Sequence, residues 1–437
     1  MSLTEYTTNE VFGVSRDIPL NYAERVADEE LVESLSRNHH IVIYGSSKQG
    51  KTSLRKFNLR EDEYTVVSCS NKWTLAQLME SILKQVGYTL EESYKQTSSE
   101  QGKISIAAKI SAKFFGNGGE VSASTDYTAA DSNETVYRSL ELDPNDVNDV
   151  IKALETIGFN QWLVLEDFHY LPEQTQKDFA VALKAFHEMS SYTFIVVGVW
   201  LQEDRLLQYN GDLIGRVTTI NADKWTRGEL EDAIRKGEDL LNVRFSQDFR
   251  EELFERCFDS IYVVQEACRS ALLQNGITRT CAITTEVNAN ATSIVKEVVN
   301  KQSGRYLQFL TNFSRGFNET TLAMYKWLLV PIVMTEIETL EQGITYREIR
   351  RIIDRIHPNS PVNAGNVSQA LTSITKLQID TGMKPVVFDY DQSLRRLTIV
   401  DRSFSIWLAY QDKTDLLDHL ELPSEIASNW PEISAAT

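Results

Sequence analysis

The stretch Gly45-Ser46-Ser47-Lys48-Gln49-Gly50-Lys51-Thr52 constrains this chain more than any other feature. It follows a short apolar run, Ile41–Tyr44, and precedes a segment with helical character from Lys51 towards Phe57. Gly-x-x-x-x-Gly-Lys-Thr between a strand and a helix is the pattern of a loop that wraps the phosphates of a nucleoside triphosphate. The glycines let successive main-chain N–H groups turn inward on an anion. The helix behind the loop adds the positive end of its dipole. Lys51 brings a full charge to the β- and γ-phosphates, and the Thr52 hydroxyl is placed to ligate Mg²⁺. Ser46, Ser47, Lys48, Gln49 and Ser53 complete the expected loop contacts, with Gly45 and Gly50 at its bends.

The surrounding pattern suits such a loop. Glu24–Arg37 reads as an amphipathic helix, Tyr64–Cys69 as a strand and Thr74–Val86 as a helix. After an interruption come a helix at Asp146–Ile157, a strand at Trp162–Leu165, a helix at Glu173–Met189 and a strand at Phe194–Val199. Continuously apolar strands alternating with helices predict an α/β fold, a parallel sheet covered on both faces. The interruption, residues 93–133, is rich in Ser, Thr, Ala and Gly around Gly116–Gly119, and reads as a hairpin or a partly ordered insertion.

A phosphate loop needs an acid at the end of a neighbouring strand to hold magnesium and orient water. Trp162–Leu165 runs into Glu166-Asp167. Glu166 is assigned to magnesium, through its bound water, and Asp167 to the base or water-positioning role. The next strand ends in Gly198-Val199-Trp200, with no polar side chain for a γ-phosphate; Gln202 is the nearest replacement. Arg216, after the turn Asn210–Gly215, is the candidate to stabilise transition-state charge, in its own subunit or a neighbour's. Arg205 is a second candidate. His169 and His187 read as packing residues, and Cys69 as a small buried side chain.

From Arg227 to the C-terminal region no strand is expected. Glu229–Leu241, Gln247–Phe258, Val263–Gln274, Thr285–Lys301 and Arg305–Phe313 read as helices. Tyr346–Ile356 places Ile349, Ile352, Ile353 and Ile356 on one stripe. A helix at Asn366–Gln378 and two strands within Val386–Val400 follow. Helix, helix, hairpin is the order of a winged helix, whose second helix can enter a major groove. Between Gly343 and Asp401 stand eight Lys and Arg (347, 350, 351, 355, 376, 384, 395 and 396) against six acids. The second helix itself offers one cation, Lys376, so phosphate contact is poor. A protein partner is therefore favoured over DNA at this module. The tail after Asp401 is acidic, with Trp407 and Trp430 expected to pack against the module.

Composition removes other classes. The chain carries 44 Lys and Arg against 62 Asp and Glu, a net charge of −18, which argues against a surface built to coat nucleic acid. No apolar run is long enough to span a bilayer. Four cysteines without a CxxC pair give neither a disulfide framework nor a zinc site. The polar start, Met1–Glu10, shows no leader pattern, and a cytoplasmic location is expected.

Taken together, these residues resemble the AAA+/STAND branch of P-loop ATPases, especially origin-recognition-like bacterial and archaeal members. Gly45–Thr52 looks like Walker A and Leu163–Asp167 like Walker B. Tyr22-Ala23-Glu24-Arg25 is similar to an arginine-bearing motif beside the adenine pocket. Asp212–Arg216 followed by Ile220 resembles the arginine segment before the lid, and Trp225–Leu230 the lid entry. Ser260–Leu272 falls where a second sensor helix would lie, with Arg269 its basic candidate. The resemblance spans about residues 12–275. Departures are the Glu-Asp order, the missing sensor after Val199 and the insertion.

The resemblance implies ATP and Mg²⁺ as cofactors, Arg25 beside the base, a lid closing over nucleotide, and assembly of copies into a homo-oligomer. The resulting organisation is a P-loop core over 1–226, an all-helical lid over 227–300 and a helical connector over 301–342. A winged-helix domain over 343–410 and an acidic tail over 411–437 complete it. The expected function is an ATP-hydrolysing switch coupling nucleotide state to assembly or partner binding, of a kind suited to bacterial signalling or phage defence. The alternatives are a DNA-binding loader or regulator, and a nucleotide-binding module without turnover.

Overall fold

A computed structural model describes residues 4–13, 17–88, 142–317, 322–383 and 386–435. The insertion expected at 93–133, with its possible hairpin, lies outside the described residues.

Five parallel strands form the central sheet: β1 (His40–Tyr44), β2 (Tyr64–Ser68), β3 (Trp162–Glu166), β4 (Phe194–Val197) and β5 (Val217–Asn221). Their spatial order is β2-β3-β4-β1-β5. Ile41 lies opposite both Ile195 and Thr218, and Val164 opposite both Val66 and Ile195. The period-2 alternation of β1 explains its unbroken apolar sequence. Ile41 and Ile43 enter one core with Ala27, Leu31 and Leu54 from helices Val26–Leu35 and Lys51–Asn58. Val42 and Tyr44 enter the opposite core with Leu78, Val150, Phe179 and Leu183. This is the expected α/β P-loop sheet with helices on both faces.

β5 was not anticipated. Val217-Thr218-Thr219-Ile220-Asn221 is half polar, because as an edge strand only Ile220 is fully buried. The expectation of no strand beyond Arg227 also needs correction. β6 (Val243–Phe245) pairs in parallel with β7 (Thr285–Val287), so the helix expected from Thr285 starts at Ala291 instead. Three-residue strands carry too little periodicity to be read.

The remainder is mostly helical. Arg227–Leu241, Gln247–Arg256 and Ile261–Gln274 pack with Ala291–Asn300 and Ser303–Arg315 into one continuous apolar cluster with the C-terminal part. The N-terminal segment joins this cluster: Phe12 fills the space where a Gly237 side chain would stand, 2.2 Å from an added Cβ.

Further on, β8 (Ile344–Thr345), β9 (Phe388–Asp391) and β10 (Arg396–Ile399) form an antiparallel sheet in the order β8-β10-β9. Helices Tyr346–Ile356, Ala364–Thr372 and Ile374–Asp380 cover it; the single helix expected at Asn366–Gln378 is interrupted at Ser373. Trp407 is fully buried against Tyr306 and Phe404, and its indole N–H donates to Ser303 Oγ at 2.7 Å. No helix among the described residues is long and apolar enough to cross a membrane.

Candidate functional site

β4 stands between β1 and β3, so the loop after β1 and the acids after β3 face one another across its carboxyl end. That end must be low. An added Cβ on Gly198 would lie 1.6 Å from the Trp200 ring, which is folded back over it. Ligands in open α/β sheets bind outside the carboxyl ends of the strands. A cavity of about 370 Å³ lies there.

The loop is curled. Lys48 and Gly50 adopt left-handed backbone conformations, φ 64° and 80°, and Gly50 caps the helix Lys51–Asn58. Lys51 Nζ donates to the carbonyl oxygens of Gly45, at 2.9 Å, and Ser46. Burial pulls its pKa down to about 8, opposed by the negative field of Asp223 and Glu166. With no carboxylate in direct contact among the described residues, this ammonium is poised for an anion.

Sequence reasoning missed Asp223, just after β5. Its carboxylate accepts from the Ser46 N–H at 2.8 Å and from Ser46 Oγ at 2.7 Å. Gly45 is required here, since a Cβ would come 3.0 Å from Asp223 Oδ1 in a φ of 141°. Arg25 is buried behind the loop rather than in the cavity wall. It donates to Ala222 O at 2.8 Å and Gln49 O at 3.3 Å, and lies 4.1 Å from the Trp225 ring centroid. Trp225 Nε1 donates to the same Gln49 oxygen at 3.3 Å.

Lys48, Lys51, Thr52, Glu166 and Asp167 line the one cavity. Glu166 is tied to Arg55 from the loop's own helix, Nε to Oε1 at 3.1 Å. Burial still raises its pKa, with Arg55 pulling the other way. Asp167 is exposed, in a left-handed conformation (φ 59°) that turns the chain out of β3. Hydroxyl and carboxylate oxygens opposite a lysine form a hard donor set that fits Mg²⁺. His169, expected to pack, also reaches the cavity, and its Nδ1 accepts the Val199 N–H at 3.3 Å.

The far end of the cavity is apolar and amide-lined. Pro19, Tyr22, Ala23, Ala233 and Ile261 wall it. Asn21 and Gln265 there exchange two hydrogen bonds of 3.0 Å, while Asn21 also donates to Ala233 O at 3.1 Å. Helix Ile261–Gln274 touches the loop directly: Gln49 Nε2 donates to Ser260 Oγ at 3.3 Å, and Lys48 Nζ sits 4.0 Å from the Tyr262 ring centroid. Arg269 does not line the cavity; it pairs with Glu266 at 3.0 Å. Gln265, one turn earlier, occupies the wall instead.

Arg216 stands apart. It precedes β5, and its carbonyl accepts the His40 N–H at 2.9 Å, so it lies at the amino end of the sheet. Five residues of strand separate that end from the loop, roughly 16 Å. Its guanidinium pairs with Glu188 at 2.8 Å. Arg205 is held by Asp389 of β9 at 2.9 Å. Gln202 is not in the cavity wall.

No protein-family model and no curated protein matches the chain. Among solved structures it is similar to the Walker-type ATPase PABY2304 of Pyrococcus abyssi, at 13 % identity and a TM-score of 0.44, covering 88 % of this chain and 94 % of that one. It is also similar to the Aeropyrum pernix ORC2 protein, described as ADPNP-ADP complexes, at 13 % identity and 0.43 over 94 % and 96 % of the two chains. The Thermotoga maritima RuvB Holliday junction branch migration motor follows at 14 % and 0.35, over 89 % and 96 %.

Proposed function

We propose that the chain is an ATP-binding and ATP-hydrolysing switch of the AAA+/STAND type. One observation carries this reading: a single cavity runs from Lys51, Thr52 and Asp167, through the loop, to an apolar, amide-lined end between Tyr22, Ala233 and Gln265. That is the shape of a triphosphate joined to a flat base. The triphosphate lies along the amides of 47–53, with Lys51 leaving the loop carbonyls for the β- and γ-phosphates. Thr52 and Glu166 would hold Mg²⁺, which would screen the charge between those phosphates. Asp167 accepts the proton of the attacking water. Arg25 positions the loop by fixing Gln49 and Gly50 rather than by touching the base. Arg216, at the opposite end of the sheet from this cavity, acts on the phosphates of a neighbouring copy.

The readout runs through the segment that grips the loop. Lys48 and Gln49 touch the lid at Tyr262 and Ser260, and Arg402 in the C-terminal part donates to Phe258 O at 3.2 Å in the same lid. A triphosphate under Lys48 changes that grip and with it the winged-helix end, where a protein partner docks. Signalling or phage defence suits such a switch.

A second reading, nucleotide binding without turnover, draws support from the Arg55–Glu166 pair, which occupies one of the two acids. The deciding experiment measures Mg·ATP affinity and phosphate release on wild type, Lys51→Ala and Asp167→Asn. The switch reading expects lost binding in the lysine variant, and binding without turnover in the aspartate variant. Unchanged affinity in Lys51→Ala overturns it, and bound ATP without release by wild type selects the second reading.

A further inference from the structure

The helix Tyr346–Ile356 carries Arg347, Arg350, Arg351 and Arg355. Spacings of three, four and eight residues put them on adjoining turns of one side. The turn between β9 and β10 adds a fifth. Asp391 Oδ1 accepts the N–H groups of Ser393 and Leu394 at 2.8 and 2.9 Å, and Arg395 follows in a left-handed conformation, φ 53°. Its guanidinium lies 4.0 Å from the Tyr346 ring centroid. All five arginines line a cleft of about 660 Å³. Among the described residues its one lining carboxylate is Asp354, 3.6 Å from Arg350.

The chain has an excess of 18 acids, yet among the described residues that line this cleft five guanidinium groups stand against one carboxylate. Like charges held together are costly unless an anion joins them. Two of the arginines also meet main-chain oxygens. Arg351 Nη2 donates to Ser434 O at 2.9 Å, and Arg355 Nη1 to the carbonyls of Glu432, Ile433 and Ala435 at 3.0, 2.7 and 3.0 Å. Carbonyls satisfy N–H groups without cancelling charge. Arg351 Nε is buried with no hydrogen-bond partner among the described residues.

A rigid guanidinium fork matches phosphate oxygens in pairs, and charged oxygens are stronger acceptors than carbonyls. The cleft has the volume of a small-ligand site. The Leu394–Arg395 turn closes one side of the cleft, and Arg351 and Arg355 at its edge already meet the C-terminal helix Trp430–Ser434, which suits a compact anion better than a continuous polymer. We propose that this cleft binds a compact, multiply phosphorylated small molecule through Arg347, Arg350, Arg351, Arg355 and Arg395, separately from the nucleotide cavity. Its phosphates displace the carbonyls of the C-terminal helix from Arg351 and Arg355, so binding loosens that helix.

The test uses the full chain, isothermal titration with inositol hexakisphosphate as probe, and two salt concentrations. The expected result is one molecule per chain, with affinity falling at higher salt. Arg350→Ala combined with Arg395→Ala, both at exposed positions, weakens binding at least about tenfold. Lys51→Ala leaves binding unchanged. Hydrogen exchange at residues 430–434 accelerates when the probe binds. No binding, equal binding by the double variant, or loss in Lys51→Ala overturns the proposal. So does a DNA oligonucleotide that binds these same arginines more tightly than the compact probe. Unaltered exchange at 430–434 overturns the displacement of the helix.

Discussion

Arg55 Nε donates to Glu166 Oε1 at 3.1 Å, joining the helix that follows the phosphate loop to the strand that carries the acids. The arginine is almost fully buried and its guanidinium also lies 4.5 Å from the Tyr64 ring centroid. Glu166 would otherwise be a buried charge with its pKa raised by desolvation. Arg55→Ala removes one partner of a buried pair and leaves the other uncompensated, a loss of about 3 kcal/mol. Urea denaturation measures it. Arg55→Lys recovers part, because a lysine keeps the charge but not the fork. A loss below ~1 kcal/mol in the alanine variant would show that the pair contributes little.

Asp223 fixes the first turn of the loop from β5. Asp223→Ala frees the Ser46 N–H and hydroxyl together, and withdraws the largest of the charges that keep Lys51 protonated. Mg·ATP affinity is expected to fall about tenfold, the size of one lost charge-assisted contact. Asp223→Asn retains an acceptor for Ser46 and falls less. Competition against a fluorescent nucleotide separates the two; alanine and wild type binding alike would remove Asp223 from the site.

His40 makes stability depend on pH. Its Nε2 meets Leu183 O at 2.9 Å and its Nδ1 meets the Phe194 N–H at 3.1 Å. A carbonyl only accepts and an amide N–H only donates, so the ring is held neutral with its proton on Nε2. Burial lowers its pKa from 6.5 to about 4, helped by His187 and His39 nearby. A depressed histidine binds its proton more readily in the unfolded chain. Stability is therefore complete above pH 6.5 and falls as pH drops towards 4, by up to about 3 kcal/mol. Chemical denaturation at pH 7.5, 5.5 and 4.5 checks this, and His40→Gln should flatten the slope. An equal slope in the variant would assign the loss to other groups.

The parts of the fold legible in the sequence were those with strong local chemistry. Gly45–Thr52 carries its glycines, lysine and threonine in one short local pattern, and strands β1, β3 and β4 are apolar because both their faces are covered. β5 was missed because an edge strand needs apolar residues at few positions. Within the site, the lysine, the threonine and the two acids were brought together as their spacing along a strand–loop–helix pattern implied. Asp223, Arg55 and Gln265 were not foreseen, since each acts across 100 residues or more of sequence. A lone charged or amide residue outside a motif carries no local signal of its partner. Arg25 and Arg216 show the converse limit: each stands out in the sequence, but only the fold places one behind the loop and the other at the amino end of the sheet.

Arg205, between β4 and β5, ties the central sheet to the C-terminal one. Arg205 Nη1 meets Asp389 Oδ2 at 2.9 Å, and both side chains are mostly buried. Asp389 also accepts from Thr375 Oγ1 at 3.0 Å, so β9 and helix Ile374–Asp380 converge on the same carboxylate. On the other side, the Arg205 guanidinium lies 5.5 Å from the ring of Trp200, which covers Gly198 in the cavity wall. A change at the end of β4 thus reaches β9 through two side chains. Asp389→Ala strands a buried guanidinium and should cost about 3 kcal/mol, whereas Arg205→Met with Asp389→Ala should recover much of it by removing both charges. The double-mutant cycle then gives a coupling above about 1 kcal/mol. If nucleotide alters this joint, Mg·ATP changes that coupling; a coupling of the same size with and without Mg·ATP would mean that the joint is only structural.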